Sequence, residues 1–181
     1  MRKIVYYVAT SLDGYIAGEN DDVSMFAVGG EGVEQYMYDL QSFDTVIMGR
    51  RTYEFGYRFG LEPGQPAYPH MDHFIYSSSL CFDNANDQVK VVPPDLNHLE
   101  ALKKECGSEI YLCGGGNFAG WLMKNGLIDE VKLKVNPIIL GGGIRLFGEH
   151  KVQTKLKMVY CQSYPDGMQI ITFEVGHVLN N

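Results

Sequence analysis

The stretch Glu109-Ile110-Tyr111-Leu112-Cys113-Gly114-Gly115-Gly116-Asn117-Phe118 decides the fold class. Its first half is a short apolar run of strand formers. Its second half is a glycine cluster, followed by the apolar residues Phe118, Trp121 and Leu122 at helical spacing up to Asn125-Gly126. A buried strand that turns sharply into a helix is the unit of an α/β sheet. Glycine at such a turn lets backbone N–H groups approach an anion at the positive end of the helix. The spacing is not GxGxxG, and a tight strand-to-helix turn with no ligand reads equally well from this segment alone.

The same grammar repeats on either side. Residues 3–10 read as a buried strand, and residues 33–40 carry an inward stripe of Val33, Tyr36, Met37 and Leu40. Residues 44–49, 73–76 and 89–92 read as further strands. Asp95 is placed to cap a helix that turns Leu96, Leu99 and Leu102 inward and stops at Gly107. Residues 129–139, 154–164 and 168–176 read as closing strands, the last two as a hairpin around Pro165-Asp166-Gly167. The expectation is a mostly parallel central sheet, helices on both faces and an antiparallel C-terminal edge. No linker divides residues 1–181, so one domain is expected.

Composition bounds the function. The chain has 181 residues, 45% hydrophobic and 20% charged, enough for a core and too apolar for disorder. Its 15 Lys and Arg against 22 Asp and Glu leave −7, which argues against a nucleic-acid partner. No run approaches a membrane span or a signal peptide, so a cytoplasmic protein is expected. Cys81, Cys106, Cys113 and Cys161 form no CxxC pair. His70 and His73 form an HxxH pair, but flanking Pro66 and Pro69 argue a loop and no third ligand is marked, so no metal is expected. His98, His150 and His177 carry no motif, and no GxSxG elbow is present.

Ligands of open α/β sheets bind beyond the carboxyl ends of the strands. Four segments lie there: Ala9 to Ala17, Gly49 to Glu54, Ser77 to Ser79, and Gly114 to Phe118. Gly49-Arg50-Arg51-Thr52 sets two guanidinium groups and a hydroxyl at a helix start, where cations oppose the dipole unless they serve an anion. Ser77, Ser78 and Ser79 add hydroxyl donors suited to a ribose phosphate. A pyrophosphate site beside another phosphate site points to a phosphorylated dinucleotide, most simply NADPH. Tyr6, Tyr7, Tyr15, Tyr36 and Tyr53 crowd the proposed cleft, and ordinary core packing accounts for most such aromatics.

Three segments carry a family resemblance: Ala9-Thr10-Ser11-Leu12-Asp13-Gly14-Tyr15-Ile16-Ala17, Val46 through Glu54, and Gly114-Gly115-Gly116. They resemble the dihydrofolate reductase-like superfamily. The nearer resemblance is to the reductase domain of bifunctional riboflavin-biosynthesis enzymes, whose first motif reads S-L-D-G-x-x-A. The run from Gly126-Leu127-Ile128-Asp129-Glu130 to Asn136-Pro137-Ile138-Ile139-Leu140-Gly141-Gly142 is similar to that group too.

The resemblance implies an NADPH-dependent reductase. Hydride would pass to a C=N or C=O bond of a pterin-like, pyrimidine-like or carbonyl substrate. Gly49, Arg50, Arg51 and Thr52 would hold phosphates. Ser77, Ser78 and Ser79 would lie near the 2′-phosphate. Gly114-Gly115 would be the cis glycine pair beside the nicotinamide, and Gly116, Asn117 and Phe118 would face the pyrophosphate. Ala9, Gly14 and Ile16 would line the nicotinamide site under the loop after Ser11. Asp13, or a water it holds, would supply the proton, with Tyr7 as second choice.

Folate reductases carry an acidic residue on the helix after that loop. Here the stripe has none, although Glu31 and Glu34 stand nearby. The riboflavin-pathway enzymes place lysine where Tyr7 stands and glutamate where Cys113 stands. Two alternatives therefore accompany the reductase reading: a 5-amino-6-(5-phosphoribosylamino)uracil reductase, and a non-catalytic NADPH-binding module. A homodimer formed through sheet edges is also implied.

Overall fold

The computed structural model describes residues 1–176; His177 lies outside the described residues. Ten strands and four α-helices are numbered here in chain order. They are β1 (Ile4–Thr10), β2 (Tyr15–Ala17), α1 (Glu31–Leu40), β3 (Thr45–Gly49), α2 (Arg50–Phe55), β4 (Asp72–Tyr76), β5 (Val89–Val92), α3 (Leu96–Lys104), β6 (Ile110–Gly114), α4 (Gly116–Lys124), β7 (Glu130–Val135), β8 (Ile144–Arg145), β9 (Leu156–Ser163) and β10 (Gln169–Val175).

Eight strands form one sheet in the order β5-β4-β3-β6-β1-β7-β10-β9. The first six run parallel, and β10 and β9 close the edge antiparallel. This is the mixed, mostly parallel α/β sheet with an antiparallel edge that the strand-helix alternation predicts. Central β1 is apolar along nearly its whole length because both of its faces are covered. Tyr6 and Val8 pack with Leu99 and Leu102 of α3 and Leu122 of α4. Val5 and Tyr7, one residue out of phase, pack with Leu40 of α1 and Tyr53 of α2 on the opposite face.

Local chemistry sets several boundaries. The Asp95 carboxylate accepts from the Asn97 amide at 2.9 Å and caps α3, whose last turn carries Lys103 and Lys104. In α1 the stripe narrows: Met37 lies at its rim and is 52% exposed, whereas Leu40 is buried. β2 and β8 pair antiparallel as a separate ribbon, and both are too short for a period to be read from sequence. Gly143 makes that ribbon possible, because a Cβ there would collide with the Ala17 carbonyl oxygen. All eight residues of β9 are exposed, including Leu156, Met158, Val159 and Tyr160.

Candidate active site

The carboxyl ends of β1, β3 and β6 open onto one cavity of about 710 Å³, within the usual size of small-molecule sites. Ala9 and Ile16 line it, as do Gly49, Arg50, Arg51 and Thr52 at the start of α2. Gly115, Gly116, Asn117 and Phe118 at the start of α4 complete that wall. The Gly114–Gly115 peptide bond is cis. The two helix starts press together: a Cβ on Gly115 would sit 3.0 Å from the Thr52 hydroxyl, and one on Gly49 would sit 3.4 Å from the Phe118 Cβ. The turn after β8 packs against Gly116 and brings Arg145, Gly148 and Glu149 to the same wall.

This wall is rich in unused donors. The N-cap of α4 is Gly115, which offers no side-chain acceptor. Among the described residues, the amides of Gly116, Asn117 and Phe118 have no acceptor, and all three residues line the cavity. Arg50 is held by Glu54 at 2.8 Å and by the Ser79 hydroxyl at 3.0 Å. Arg51 meets Asp21 at 3.2 Å, which reaches the cavity from the segment after β2. Ser77 and Ser78 line a neighbouring hollow of about 440 Å³. The Ser77 hydroxyl accepts from the Ser79 and Leu80 amides and shapes that turn.

Ser77, Ser78, Ser79 and Gly114 are not among the residues that line the main cavity, and Asp13, Gly14 and Tyr7 lie off it as well. The Asp13 carboxylate is not on the cavity; it accepts from the Gly141 amide at 2.7 Å and the Leu140 amide at 3.1 Å. Hydrogen bonds from Ser11 and these amides hold it below the usual carboxylate range. Gly14 makes the preceding turn, and its carbonyl accepts from Leu146. Tyr7 points to the α1 face, where its phenol donates to Asp39 at 3.0 Å. Lys132 also binds Asp39, at 2.7 Å, and its amine lies 4.5 Å from the Tyr7 ring centroid. Burial, with the Asp39 charge beside it, raises the Tyr7 pKa strongly. Both proposed proton donors are thus fastened to protein partners outside the cavity. In α1, Asp39 is the acidic residue that engages the sheet, through Tyr7 and Lys132.

The other end of the cavity is a cluster that sequence reading passed over. The hydroxyls of Tyr36 (α1) and Tyr111 (β6) are 2.7 Å apart. The Tyr68 hydroxyl lies 3.6 Å from the Cys113 sulfur, and the Tyr68 and Tyr111 rings meet edge to face at 5.6 Å. All four residues line the cavity. Burial, then the neighbouring Cys113, raises the phenol pKa of Tyr36, Tyr68 and Tyr111; burial raises the Cys113 thiol. Tyr36 was the only one of the three phenols in the aromatic set noted from sequence.

The HxxH pair is spent on backbone. His70 meets the Leu40 carbonyl at 3.0 Å, and His73 accepts from the Tyr68 amide at 3.1 Å and meets the Met71 carbonyl at 3.0 Å. Among the described residues no group of three or more His, Cys, Asp and Glu is placed to hold a metal ion, and no helix is long and apolar enough to cross a membrane. Fully buried His73 has its pKa lowered to about 4 by burial. The unfolded chain therefore binds the extra proton between pH 6.5 and about 4. Stability is full above 6.5, falls through that window by about 3 kcal/mol, and levels off below it. Urea midpoints measured from pH 7 to pH 4 should follow this course, and His73→Gln should flatten it. An equal slope in the variant would remove His73 as the cause.

The comparisons agree with this architecture. The uncharacterized protein YwjB of Bacillus subtilis (strain 168) is 35% identical over 172 residues, which span 93% of this chain and 96% of YwjB. A crystal structure described as a putative riboflavin biosynthesis protein from Shewanella sp. PV-4 superposes with a TM-score of 0.76 at 26% identity, covering 98% of this chain and 100% of that one. The Thermotoga maritima diaminohydroxyphosphoribosylaminopyrimidine deaminase/5-amino-6-(5-phosphoribosylamino)uracil reductase shares the fold, with a TM-score of 0.69 at 15% identity; 97% of this chain covers 57% of that one. The family model described as the RibD C-terminal domain matches residues 2–170. With nearly the whole sheet and cavity inside that match, the chain belongs to the RibD C-terminal domain family, within the dihydrofolate reductase-like superfamily.

Proposed function

We propose that this protein is an NADPH-dependent reductase of the riboflavin-pathway type, acting on a C=N or C=O bond of a small pyrimidine-like heterocycle. One observation carries the reading. A single cavity joins a donor-rich, glycine-walled side to a phenol-lined side, as a site for a nucleotide beside a small ring requires. The family match supports the riboflavin-pathway form over a folate or unspecified carbonyl reductase.

The residues present fit the coenzyme. Arg50, Arg51 and Arg145 supply positive charge, the start of α4 supplies unpaired amides, and a side chain at Gly115 would fill the space between the two helix starts. Bound there, a reduced nicotinamide supplies the hydride. Ala9 and Ile16 give its site apolar walls. Arg50, steadied by Glu54 and Ser79, and the start of α4 orient the phosphates. Because Asp13 and Tyr7 stand off the cavity, the hydroxyls on its wall are those of Tyr36, Tyr68, Tyr111 and their neighbours.

Turnover tests the reading. NADPH oxidation should be seen at 340 nm with a pyrimidine substrate on a panel of pyrimidines, pterins and aldehydes. Saturable NADPH binding with no turnover across that panel would favour the non-catalytic module instead. The homodimer belongs to the same proposal: two copies would pair through the exposed apolar edge β9. Light scattering at tens of micromolar protein should then report twice the chain mass, and a monomer would contradict it.

A further inference from the structure

Given the reductase reading of the cavity, we infer that Lys134 of β7 is a specificity-determining residue, the counter-charge for an anionic substituent that the ligand carries at the α1 side of the cavity. Among the described residues three lysines or arginines are buried: Arg2, Lys103 and Lys134. The first two each hold a carboxylate, Arg2 that of Asp44 and Lys103 that of Asp129. Lys134 is 6% exposed and pairs with no carboxylate among the described residues. Its amine has no hydrogen-bond acceptor among them either, and lies 4.9 Å from the Tyr36 ring centroid. An unpaired buried ammonium is unfavourable, and an anion brought by a ligand relieves it.

Lys132 shows what is missing. It stands two residues earlier on the same face of β7. Its amine lies over the Tyr7 ring at 4.5 Å, much as the Lys134 amine lies over Tyr36. Lys132 has in addition the Asp39 carboxylate at 2.7 Å. Lys134 is nearer the carboxyl end of the strand, and α1 brings no carboxylate to it. There Gln35 bonds to Asp39 at 2.8 Å, Val33 is apolar, and Glu31 and Glu34 are exposed. Burial lowers the Lys134 pKa, and no neighbouring acid offsets this.

Lys134 stands one layer behind the cavity wall. Its register partner on β1 is Ala9, and Ala9 and Tyr36 both line the cavity. The Tyr164 hydroxyl is the one side-chain polar atom among the described residues that is both fully enclosed and without a partner. The unpartnered Lys134 amine is therefore not sealed off. A lysine stem is flexible, and the Ala9 methyl leaves it room to turn towards a ligand. The other cations of the cavity, Arg50, Arg51 and Arg145, stand at the start of α2 and on β8. In the reductase reading they serve the coenzyme phosphates, which leaves Lys134 to the substrate.

A carboxylate on a ring and a phosphate on an attached sugar share the required chemistry, and separate arms of one experiment distinguish them. Uracil, orotate and uridine 5′-monophosphate are each titrated by calorimetry into the full chain and into Lys134→Met, with NADPH titrated separately. Orotate or the monophosphate should bind the parent at least roughly tenfold tighter than uracil, and Lys134→Met should weaken that anion roughly tenfold. Uracil and NADPH should bind both proteins alike. The variant should melt no lower than the parent, because methionine replaces an unpaired buried cation. Lys134→Gln is the substitute if the methionine variant lacks a native circular dichroism spectrum. Two anions that bind no tighter than uracil, or anion affinity that the substitution leaves unchanged, would overturn the inference; a monophosphate held by the arginines alone falls under the second result. Failure of NADPH to bind would instead overturn the reductase reading and leave the effect of Lys134 measurable.

Discussion

Gly116→Ala should lower the melting temperature by about 2–12 °C and weaken NADPH binding more than about tenfold. The added Cβ would collide with the Arg145 carbonyl oxygen and sit 2.8 Å from the Gly148 amide nitrogen. Both obstacles are backbone, so no side-chain rotation relieves the contact. The turn after β8 must move away from α4, and overpacking of this kind is unfavourable by about 1–3 kcal/mol. Moving that turn also moves Arg145 and opens the wall where Gly116 and Asn117 line the cavity. Gly29→Ala is the control, because a Cβ at Gly29 has nothing within 4 Å. Its melting temperature and NADPH affinity should match the parent. A Gly116→Ala protein with parental melting and binding would show that the close approach is not required.

Arg50→Ala should weaken NADPH binding by about 1.5–3 kcal/mol, the worth of a charge-assisted hydrogen bond, or roughly tenfold to more than a hundredfold. Stability should scarcely change. The Arg50–Glu54 pair is a surface i, i+4 contact with side chains 44% and 31% exposed, and such pairs contribute about 0.3–0.5 kcal/mol. Asp21→Asn should act in the opposite direction. It releases Arg51 from its 3.2 Å partner and removes a negative charge from the cavity. Fluorescence titrations of NADPH at low and high salt would read both variants. An Arg50→Ala protein that binds like the parent would take Arg50 out of the coenzyme site.

Much of this architecture is legible in residue order. The apolar runs that became β1, β3, β4 and β6 stand out because strands covered on both faces are nearly continuous in hydrophobicity. Asp95 announces its helix because a carboxylate cap has a local partner two residues on. The glycine wall is legible too, since Gly49 and Gly115 sit at strand-to-helix junctions that chain order alone reveals.

What stayed hidden is what tertiary packing decides. The continuous burial of β1 conceals which face each side chain takes, and so Tyr7 turns to Asp39 rather than to the cavity. Asp13 is captured by amides at Leu140 and Gly141, 127 and 128 residues away, once the short ribbon of β2 and β8 forms. Tyr36, Tyr68 and Tyr111 come from a helix, a proline-flanked loop and a strand, with no common period to betray them. Arg145 follows a glycine run that carries the family resemblance, which was a signal for its segment and not for its side chain.

The most direct measurement is a titration of NADPH into the unmodified protein, followed by the change in nicotinamide fluorescence. A saturable one-site curve that Arg50→Ala shifts to higher concentration is the predicted result. A flat trace up to millimolar coenzyme would contradict the account at its root.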